Sequence, residues 1–233
     1  MHPPVVPRRP SPLGGRRPHR DELAQFADET VDDVLHDAVR LLIVGVNPGL
    51  WTAAVNAPFA RPGNRFWPSL HRAGLTDHQL DVTRGLSDAD AAHLRERGIG
   101  ITNLVARASV RADELGTEEL RQGHHRLEGL VQGLHAGTGR LPVVAVAGIT
   151  AFRTAWGDRD AQLGRQEGRV AGAPLWVVPQ PSGLNAHENI DTLADKWRQV
   201  AAEVDWPAGL SRRRPSGRWR SRSGPAGAAA WRC

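Results

Sequence analysis

Four short runs of apolar, largely β-branched residues divide the chain, and they constrain its fold more than any other feature. Because they are apolar throughout and do not alternate with polar residues, they predict strands covered on both faces of a sheet. The runs are LLIVGV (41–46), GITNLV (100–105), VVAVAG (143–148) and LWVVP (175–179). The segments between them look helical, which predicts a layered α/β domain with a mainly parallel sheet.

Helix signals are found in four of the remaining segments. A short helix is predicted over 65–73, and Ser87 with its acidic neighbours begins another that Gly98 ends. Apolar residues at helical spacing predict a third helix over 117–134 and a last one from 187 to about 204.

Charge and composition separate a folded segment from two basic tails. Residues 1–20 contain five Arg and residues 207–233 contain seven, and neither tail contains an acidic residue. Removing these twelve from the 30 Lys and Arg residues leaves 18 against 25 acidic residues, so 21–206 sum to −7. We predict a disordered basic tail and lead-in over 1–27, one domain over 28–206, and a disordered Arg-rich tail over 207–233.

The tails admit two interpretations. Their arginines are able to hold a polyanion loosely through phosphate contacts, with strong salt dependence. Alternatively, they are solvated extensions of an Arg-rich, Lys-poor chain. The residues alone leave both open.

The sequence argues against a membrane span, a disulfide framework and a metal site. No run approaches the roughly 18 to 20 apolar residues that a membrane span needs, and the N-terminus lacks the apolar core of a secretory signal. The single cysteine, Cys233, provides neither a disulfide nor a cysteine metal site. His124 and His125 fall on a predicted helix without partners at metal-ligand spacing. We expect no metal.

Two loops at strand ends are the best places for chemistry, because ligands of open parallel sheets bind where the carboxyl ends of strands lead into loops. One loop, NPGLWTAAVNAPFARPGNRFW, begins at Asn47. The other, PQPSGLNAH, begins at Pro179. Both are expected to open on the same edge of the sheet.

Asn47 lies in a sharp turn, and its role is open on the local sequence. Gly45 and Gly49 permit backbone geometry or a close approach that a Cβ would block, and Pro48 fixes φ. Exposed N–H groups in such a turn are able to donate to carbonyl groups or anions. The alternative is that Asn47 hydrogen-bonds only its own turn. Neither of the Gly-rich phosphate-loop spacings is present.

The apolar residues of the two loops also have two interpretations each. Phe59, one of four Phe in a chain without Tyr, suits either stacking on a base or anchoring its loop on the core. Phe66 and Trp67, at a predicted helix start, are expected in the core. Leu184, in the stiff turn that begins at Pro181, suits either a wedge that unstacks a duplex step or a hydrophobic staple for the next helix.

Four stretches carry a resemblance to a known family: IVGVNPGL (43–50), PFARPGNRFWPSLHRAGL (58–75), GITNLVAR (100–107) and PQPSGLNAH (179–187). In order and spacing they resemble the mismatch-specific uracil-DNA glycosylases, bacterial relatives of thymine-DNA glycosylase within the uracil-DNA glycosylase superfamily. The resemblance runs from about Thr30 to Val204. It implies a three-layer α/β/α fold and hydrolysis of the bond between a flipped base and its deoxyribose.

The resemblance implies a role for several residues. Asn47 matches the asparagine that holds the attacking water, Phe59 the residue that stacks on the extruded uracil, and Leu184 the wedge that fills the vacated place. Backbone N–H groups near Val46 and Phe59 would bind the uracil edge. Backbone groups of Gly183 and Leu184 would read the opposite guanine.

Some positions depart from the family pattern. Gln180 stands where relatives carry Asn, and its longer amide would reach the base or a phosphate. Asn185 begins the Asn-Ala pair that replaces Ser-Arg, which weakens the expected guanine contact. Asn103 is Lys in some bacterial members and Asn in the thymine-acting branch, so it leaves the lesion range open. The residues assigned to the wedge and the opposite-base contact are Ser182, Gly183, Leu184, Asn185 and His187, the last of which is alternatively a plain surface residue at a helix start.

The residues themselves agree with hydrolysis of uracil opposite guanine in double-stranded DNA. Asparagine cannot take a proton at neutral pH, so Asn47 is expected to position water rather than act as a general base. The only lysine, Lys196, falls on the last helix, which argues against a Schiff-base step and for a monofunctional enzyme.

Two alternatives stay open at this point. One is a glycosylase of the same fold that prefers thymine or etheno-cytosine. The other is a non-catalytic, Arg-rich nucleic-acid-binding protein. In every case we expect a monomeric cytoplasmic protein, associated with the nucleoid and independent of cofactors or membranes.

Overall fold

The computed structural model describes residues 8–206. Residues 1–7 and the predicted C-terminal tail, 207–233, lie outside the described residues. Within 8–206, none of the helices is both long and apolar enough to cross a membrane.

A five-stranded sheet forms the centre of the domain. Its strands are β1 (Leu41–Gly45), β2 (Ile99–Asn103), β3 (Val143–Ala147), β4 (Gly164–Val170) and β5 (Ala173–Val178). In the spatial order β2-β1-β3-β5-β4, all neighbours are parallel except β4 and β5, which are antiparallel. The four predicted strands are β1, β2, β3 and β5, so the mainly parallel sheet is confirmed.

Helices cover both faces of this sheet. The helices are α1 (Leu50–Val55), α2 (Phe66–Ala73), α3 (Asp88–Glu96), α4 (Thr117–Thr138), α5 (Ile149–Trp156) and α6 (Ile190–Ala201). Alternate β1 residues point to opposite faces: Leu41 and Ile43 pack with α2, α3 and α6, whereas Leu42 and Val44 pack with α4 and α5. The three-layer α/β/α architecture is therefore confirmed.

Three elements differ from the sequence-based expectation. β4 is an edge strand with a mostly polar, exposed interior, so it lacks the apolar run that marks the other strands. α1 lies within the segment predicted as one long loop, and its six residues are too few to show helical periodicity. α6 begins at Ile190 and not at 187, because Asn189 and Thr192 form a reciprocal capping box there.

Residues 8–27, assigned to a disordered tail by their composition, lie instead against the domain. The Arg9 guanidinium lies 2.8 Å from an Asp32 carboxylate oxygen, and the Asn56 amide donates to the Arg9 carbonyl at 2.8 Å. Phe26 packs in a small apolar cluster with Ala53 and Ala54 of α1. A carboxylate partner and a buried aromatic ring thus order a stretch whose Arg and Pro content predicts disorder.

A buried ion pair ties the segment after β5 to α6. Lys196 Nζ lies 2.8 Å from Glu188 Oε1, and the two side chains are only 9% and 8% exposed. The Thr192 hydroxyl donates to Glu188 at 2.6 Å. Charges this far from water are stable only while each keeps its partner.

Lys196→Met is expected to lower the free energy of unfolding by about 3–5 kcal/mol, because it leaves the Glu188 carboxylate buried without its cation. Urea unfolding at neutral pH measures the change. The control is Arg95→Met, which removes an exposed ion pair with Asp37 and should lower the free energy of unfolding by less than about 1 kcal/mol. Equal losses in the two variants would contradict the role of the buried pair.

Candidate active site

The loops after β1, β2 and β5 lie together because these strands run parallel and end at one edge of the sheet. Gly45, the last residue of β1, is paired with Asn103, the last residue of β2. Beyond the strands the two chains stay joined: Leu104 N–H donates to the Gly45 carbonyl at 2.8 Å, and Val105 N–H donates to the Val46 carbonyl at 2.9 Å. The sequence predicted that the loops after β1 and β5 open on one edge, and they meet there: the Arg65 N–H of the first loop donates to the Pro181 carbonyl of the second at 2.9 Å.

Asn47 lies between these two chain segments, half-buried. Its side-chain nitrogen donates to the Ser109 hydroxyl at 2.7 Å, to the Pro48 carbonyl at 3.1 Å and to the Arg107 carbonyl at 3.4 Å. The contact with Pro48 lies within the turn, but the alternative that Asn47 hydrogen-bonds only its own turn is wrong. The other two contacts go further, because they reach the loop after β2.

The orientation of the Asn47 amide follows from the chemistry of its neighbours. The Ser109 hydroxyl donates its single hydrogen bond to the Arg111 carbonyl at 2.7 Å. Toward Asn47 it can therefore act only as an acceptor. Since the other two neighbours are carbonyl groups, all three are acceptors and the NH₂ group must face them. Asn47 Oδ1 is then left as an acceptor without a hydrogen-bond partner among residues 8–206.

The Phe59 ring lies beside the end of β1, next to Gly45. Its ring stacks on Phe66 with centroids 3.8 Å apart and planes at 20°. Phe66 is fully buried, whereas Phe59 is half-buried. Phe59 also has φ +54°, in the left-handed region that L-residues rarely adopt, so the surrounding contacts impose its position. The Phe59 ring thus packs on the core while part of its surface stays accessible.

Gly45 is where β1, Phe59 and Asn103 come closest. A Cβ on Gly45 would lie 3.3 Å from the Phe59 ring and would collide with Asn103 Oδ1. By contrast, nothing lies within 4 Å of a Cβ on Gly49. The close approach predicted for this Gly-rich turn therefore exists, and it is located at Gly45.

A polar network holds the backbone of β2 behind Asn103. Arg126 of α4 donates to the Asn103 carbonyl and lies 3.5 Å from Asp33. The Thr102 hydroxyl donates to Asp33 at 2.7 Å. Burial raises the pKa of the Asp33 carboxyl, and the contacts with Thr102 and Arg126 oppose that rise. The Asn103 side chain itself forms no hydrogen bond with the described residues, so its amide has no protein partner among them.

The turn after β5, residues 181–185, presents Leu184 to solvent. Leu184 is 81% exposed, so it does not staple α6 to the core. Asn185 organises the turn: its N–H donates to the Ser182 carbonyl at 3.0 Å and its amide donates to the Gln180 carbonyl at 3.1 Å. Its Oδ1 accepts from the His187 N–H at 3.1 Å. Both Gln180 and His187 are exposed.

Two residues of the site were missed by sequence reasoning. Ser109 orients Asn47 from 62 positions away, and no local pattern announces it. Arg65 donates to three carbonyls of the Leu184 turn, but the direction of its side chain cannot be read from the PGNRFW motif. As for metals, residues 8–206 contain no group of three or more His, Cys, Asp and Glu side chains arranged to hold an ion.

Comparison with known proteins assigns the chain to a family. The family model for the uracil DNA glycosylase superfamily matches residues 33–202. A solution NMR structure from Methanosarcina acetivorans that bears the name "putative uracil DNA glycosylase" is similar at 18% identity and a TM-score of 0.49. That similarity covers 75% of this chain and 98% of the other, and at this TM-score it adds no weight. On the family match, the chain belongs to the uracil DNA glycosylase superfamily.

Proposed function

We propose that this chain is a mismatch-specific, monofunctional uracil-DNA glycosylase. It flips uracil out of a G·U mismatch in double-stranded DNA and hydrolyses the N-glycosidic bond, leaving an abasic site. The observation that carries the hydrolytic part is the orientation of Asn47, whose NH₂ group faces three acceptors and whose Oδ1 is open. We also propose a monomeric cytoplasmic enzyme, associated with the nucleoid, in which residues 28–206 form the glycosylase domain.

In this proposal, Asn47 holds the attacking water. The amide oxygen accepts a hydrogen bond from the water and so directs a lone pair of the water oxygen toward the anomeric carbon. The amide does not remove the proton of that bond, because asparagine has no basic site at neutral pH. Ser109 acts as a positioning residue by keeping the amide from rotating. Water is thus oriented but only weakly activated.

The greater part of the catalysis must then come from the leaving group. Uracil departs with negative charge, which fixed N–H donors stabilise without reorganising during the reaction. We assign this role to backbone N–H groups near Val46 and Phe59, with the Asn103 amide at the edge of the base. The free Asn103 amide and the close approach at Gly45 support this assignment. The Phe59 ring would stack on the base.

The Leu184 turn is proposed to keep the duplex open. Removing a base from the stack costs a few kcal/mol, and less where the pair is already mismatched, which favours G·U over A·U. An apolar side chain that is 81% exposed on a braced turn suits insertion between bases. Backbone groups of Gly183 and Leu184 are proposed to read the guanine, with Ser182, Asn185, His187 and Gln180 near the DNA backbone.

The buried position of Lys196 supports a monofunctional enzyme. The Lys196 ammonium, on α6, pairs inside the protein with Glu188, which lies on the segment that precedes α6. A Schiff base with the abasic sugar needs an accessible neutral amine. We therefore propose hydrolysis without strand cleavage.

One second activity has specific support. Asn103 carries an amide that is able to donate as well as accept, so its hydrogen bonds are not restricted to a uracil edge. This favours a glycosylase that also accepts etheno-cytosine opposite guanine; thymine has the same hydrogen-bonding edge as uracil and differs by its C5-methyl group, so its acceptance depends on space and not on the Asn103 amide. A non-catalytic DNA-binding protein is disfavoured by the arranged acceptors around Asn47.

Asn47→Ala is expected to lower the single-turnover rate on a G·U duplex by at least about a hundredfold, because water is no longer oriented. Alkali-dependent nicking of a labelled duplex measures the rate, and fluorescence anisotropy should show unchanged DNA binding. Nicking without alkali would contradict the monofunctional assignment. An Asn47→Ala variant that keeps the wild-type rate would contradict the role of the amide.

The lesion range is tested by single-turnover rates on duplexes with uracil, thymine or etheno-cytosine opposite guanine. We expect uracil to react fastest because it needs the least space. Etheno-cytosine or thymine as the faster substrate would replace the proposed preference. No product from any of the three would contradict the enzyme assignment.

Gly45→Ala is expected to lower glycosylase activity by about tenfold or more, because its Cβ would displace Asn103 and press on Phe59. The matched control is Gly49→Ala, four residues along the same turn, where the added Cβ meets open space. Urea unfolding of both variants separates a local effect from a loss of folding. Equal activities in the two variants would contradict the importance of the approach at Gly45.

A further inference from the structure

Arg65 binds the Leu184 turn through four separate hydrogen bonds. Its backbone N–H donates to the Pro181 carbonyl at 2.9 Å. Its guanidinium donates to the carbonyls of Asn185 at 2.7 Å, Gly183 at 3.2 Å and Ser182 at 3.3 Å. From 181 to 185, Leu184 is thus the only residue whose carbonyl Arg65 does not hold.

The geometry of this contact is specific for arginine. Three carbonyls around one side chain need donors that diverge in a plane, which a guanidinium provides and an ammonium does not. Arg65 has no carboxylate within ion-pair distance among the described residues, and its guanidinium is bound there by backbone carbonyls. The contact is therefore a clamp on the turn rather than a salt bridge.

The clamp also joins the turn to the ring that faces the base. Arg65 is followed directly by Phe66, on which Phe59 stacks. The same two loops touch through their glycines: a Cβ on Gly183 would lie 2.8 Å from the Gly63 carbonyl. A shift of the Leu184 turn would therefore be transmitted to the Phe59 side of the site.

We infer that Arg65 is a positioning residue that holds Leu184 in its inserting conformation before DNA binds. This inference rests on the proposed function, because it assigns a role to the wedge of that mechanism. A turn that is ordered in advance loses less conformational entropy on insertion. Arg65 thereby favours the flipped state of the uracil without touching either base.

A double-mutant cycle of Arg65→Ala and Leu184→Ala tests the inference on a G·U duplex at saturating enzyme. Each single variant is expected to lower the single-turnover rate roughly tenfold to a hundredfold. If Arg65 acts through Leu184, the double variant should lie within about threefold of Leu184→Ala. Thermal unfolding of each variant checks the fold, and Arg65→Lys, which keeps the charge but not the fork, should remain slow.

The matched control is Arg61→Ala, which removes a positive charge from the same loop. The Arg61 side chain forms no hydrogen bond or ion pair with the described residues, and it is exposed. A rate loss as large as that of Arg65→Ala, or full activity in Arg65→Lys, would show that charge alone matters and would overturn the clamp.

The outcomes distinguish a failure of the proposed role of Arg65 from a failure of the proposed glycosylase function. No product from the wild-type chain would contradict the proposed function. An active wild type with a fully active Leu184→Ala would contradict the wedge. An active wild type in which the two single effects multiply would overturn only the role of Arg65.

Discussion

The parallel pairing of β1 with β2, continued beyond both strand ends, is the constraint on which the site depends. The ladder ends at Gly45 and Asn103, but hydrogen bonds from Leu104 and Val105 carry the pairing forward into the loops. Ser109 N–H then donates to the Pro48 carbonyl at 3.1 Å, which sets its hydroxyl beside Asn47. A local turn thus acquires a partner from a distant part of the chain, and the free Oδ1 is a consequence of that partner.

The loop after β5 is held by a different device. The Gly148 N–H, one residue beyond β3, still donates to the carbonyl of Val178, the last residue of β5, at 2.9 Å. Beyond that bond, the turn is bound by Arg65 at one end, and the segment that follows is bound by the Glu188–Lys196 pair. The Glu188–Lys196 pair satisfies two charges that would otherwise lack partners away from water, and Arg65 satisfies backbone carbonyls of a partly exposed turn. The tip at Leu184 is left free of the core between two fixed points. A rigidly held turn with an exposed apolar side chain suits insertion into a duplex.

Much of the fold is predictable from the sequence, because buried parallel strands must be apolar on both faces. β4 is an exception because it lies at the edge of the sheet and its interior residues are mostly exposed. Residues 8–27 are ordered despite a composition typical of disorder, because Arg9 pairs with the Asp32 carboxylate. For the site, sequence identifies Asn47, Phe59 and Leu184 as candidates. It does not give the orientation of Asn47 or the clamp at Arg65, because both depend on contacts between residues 60 or more positions apart.

An oriented but weakly activated water has a further consequence for how the proposed enzyme would achieve selectivity. If the amide of Asn47 adds little to the nucleophilicity of the water, the reaction rate depends on two other quantities. These are the time that the base spends in the site and the stabilisation of the negative charge on the departing base. In the proposed mechanism both quantities would be set by the loops, through the Phe59 ring, the Asn103 amide and the support of Leu184. Bases that leave the stack reluctantly would then react slowly even where they fit. The proposed enzyme would then select its substrate through the stability of the base pair as much as through the shape of its pocket. This would give a mismatch preference to an enzyme without a catalytic base.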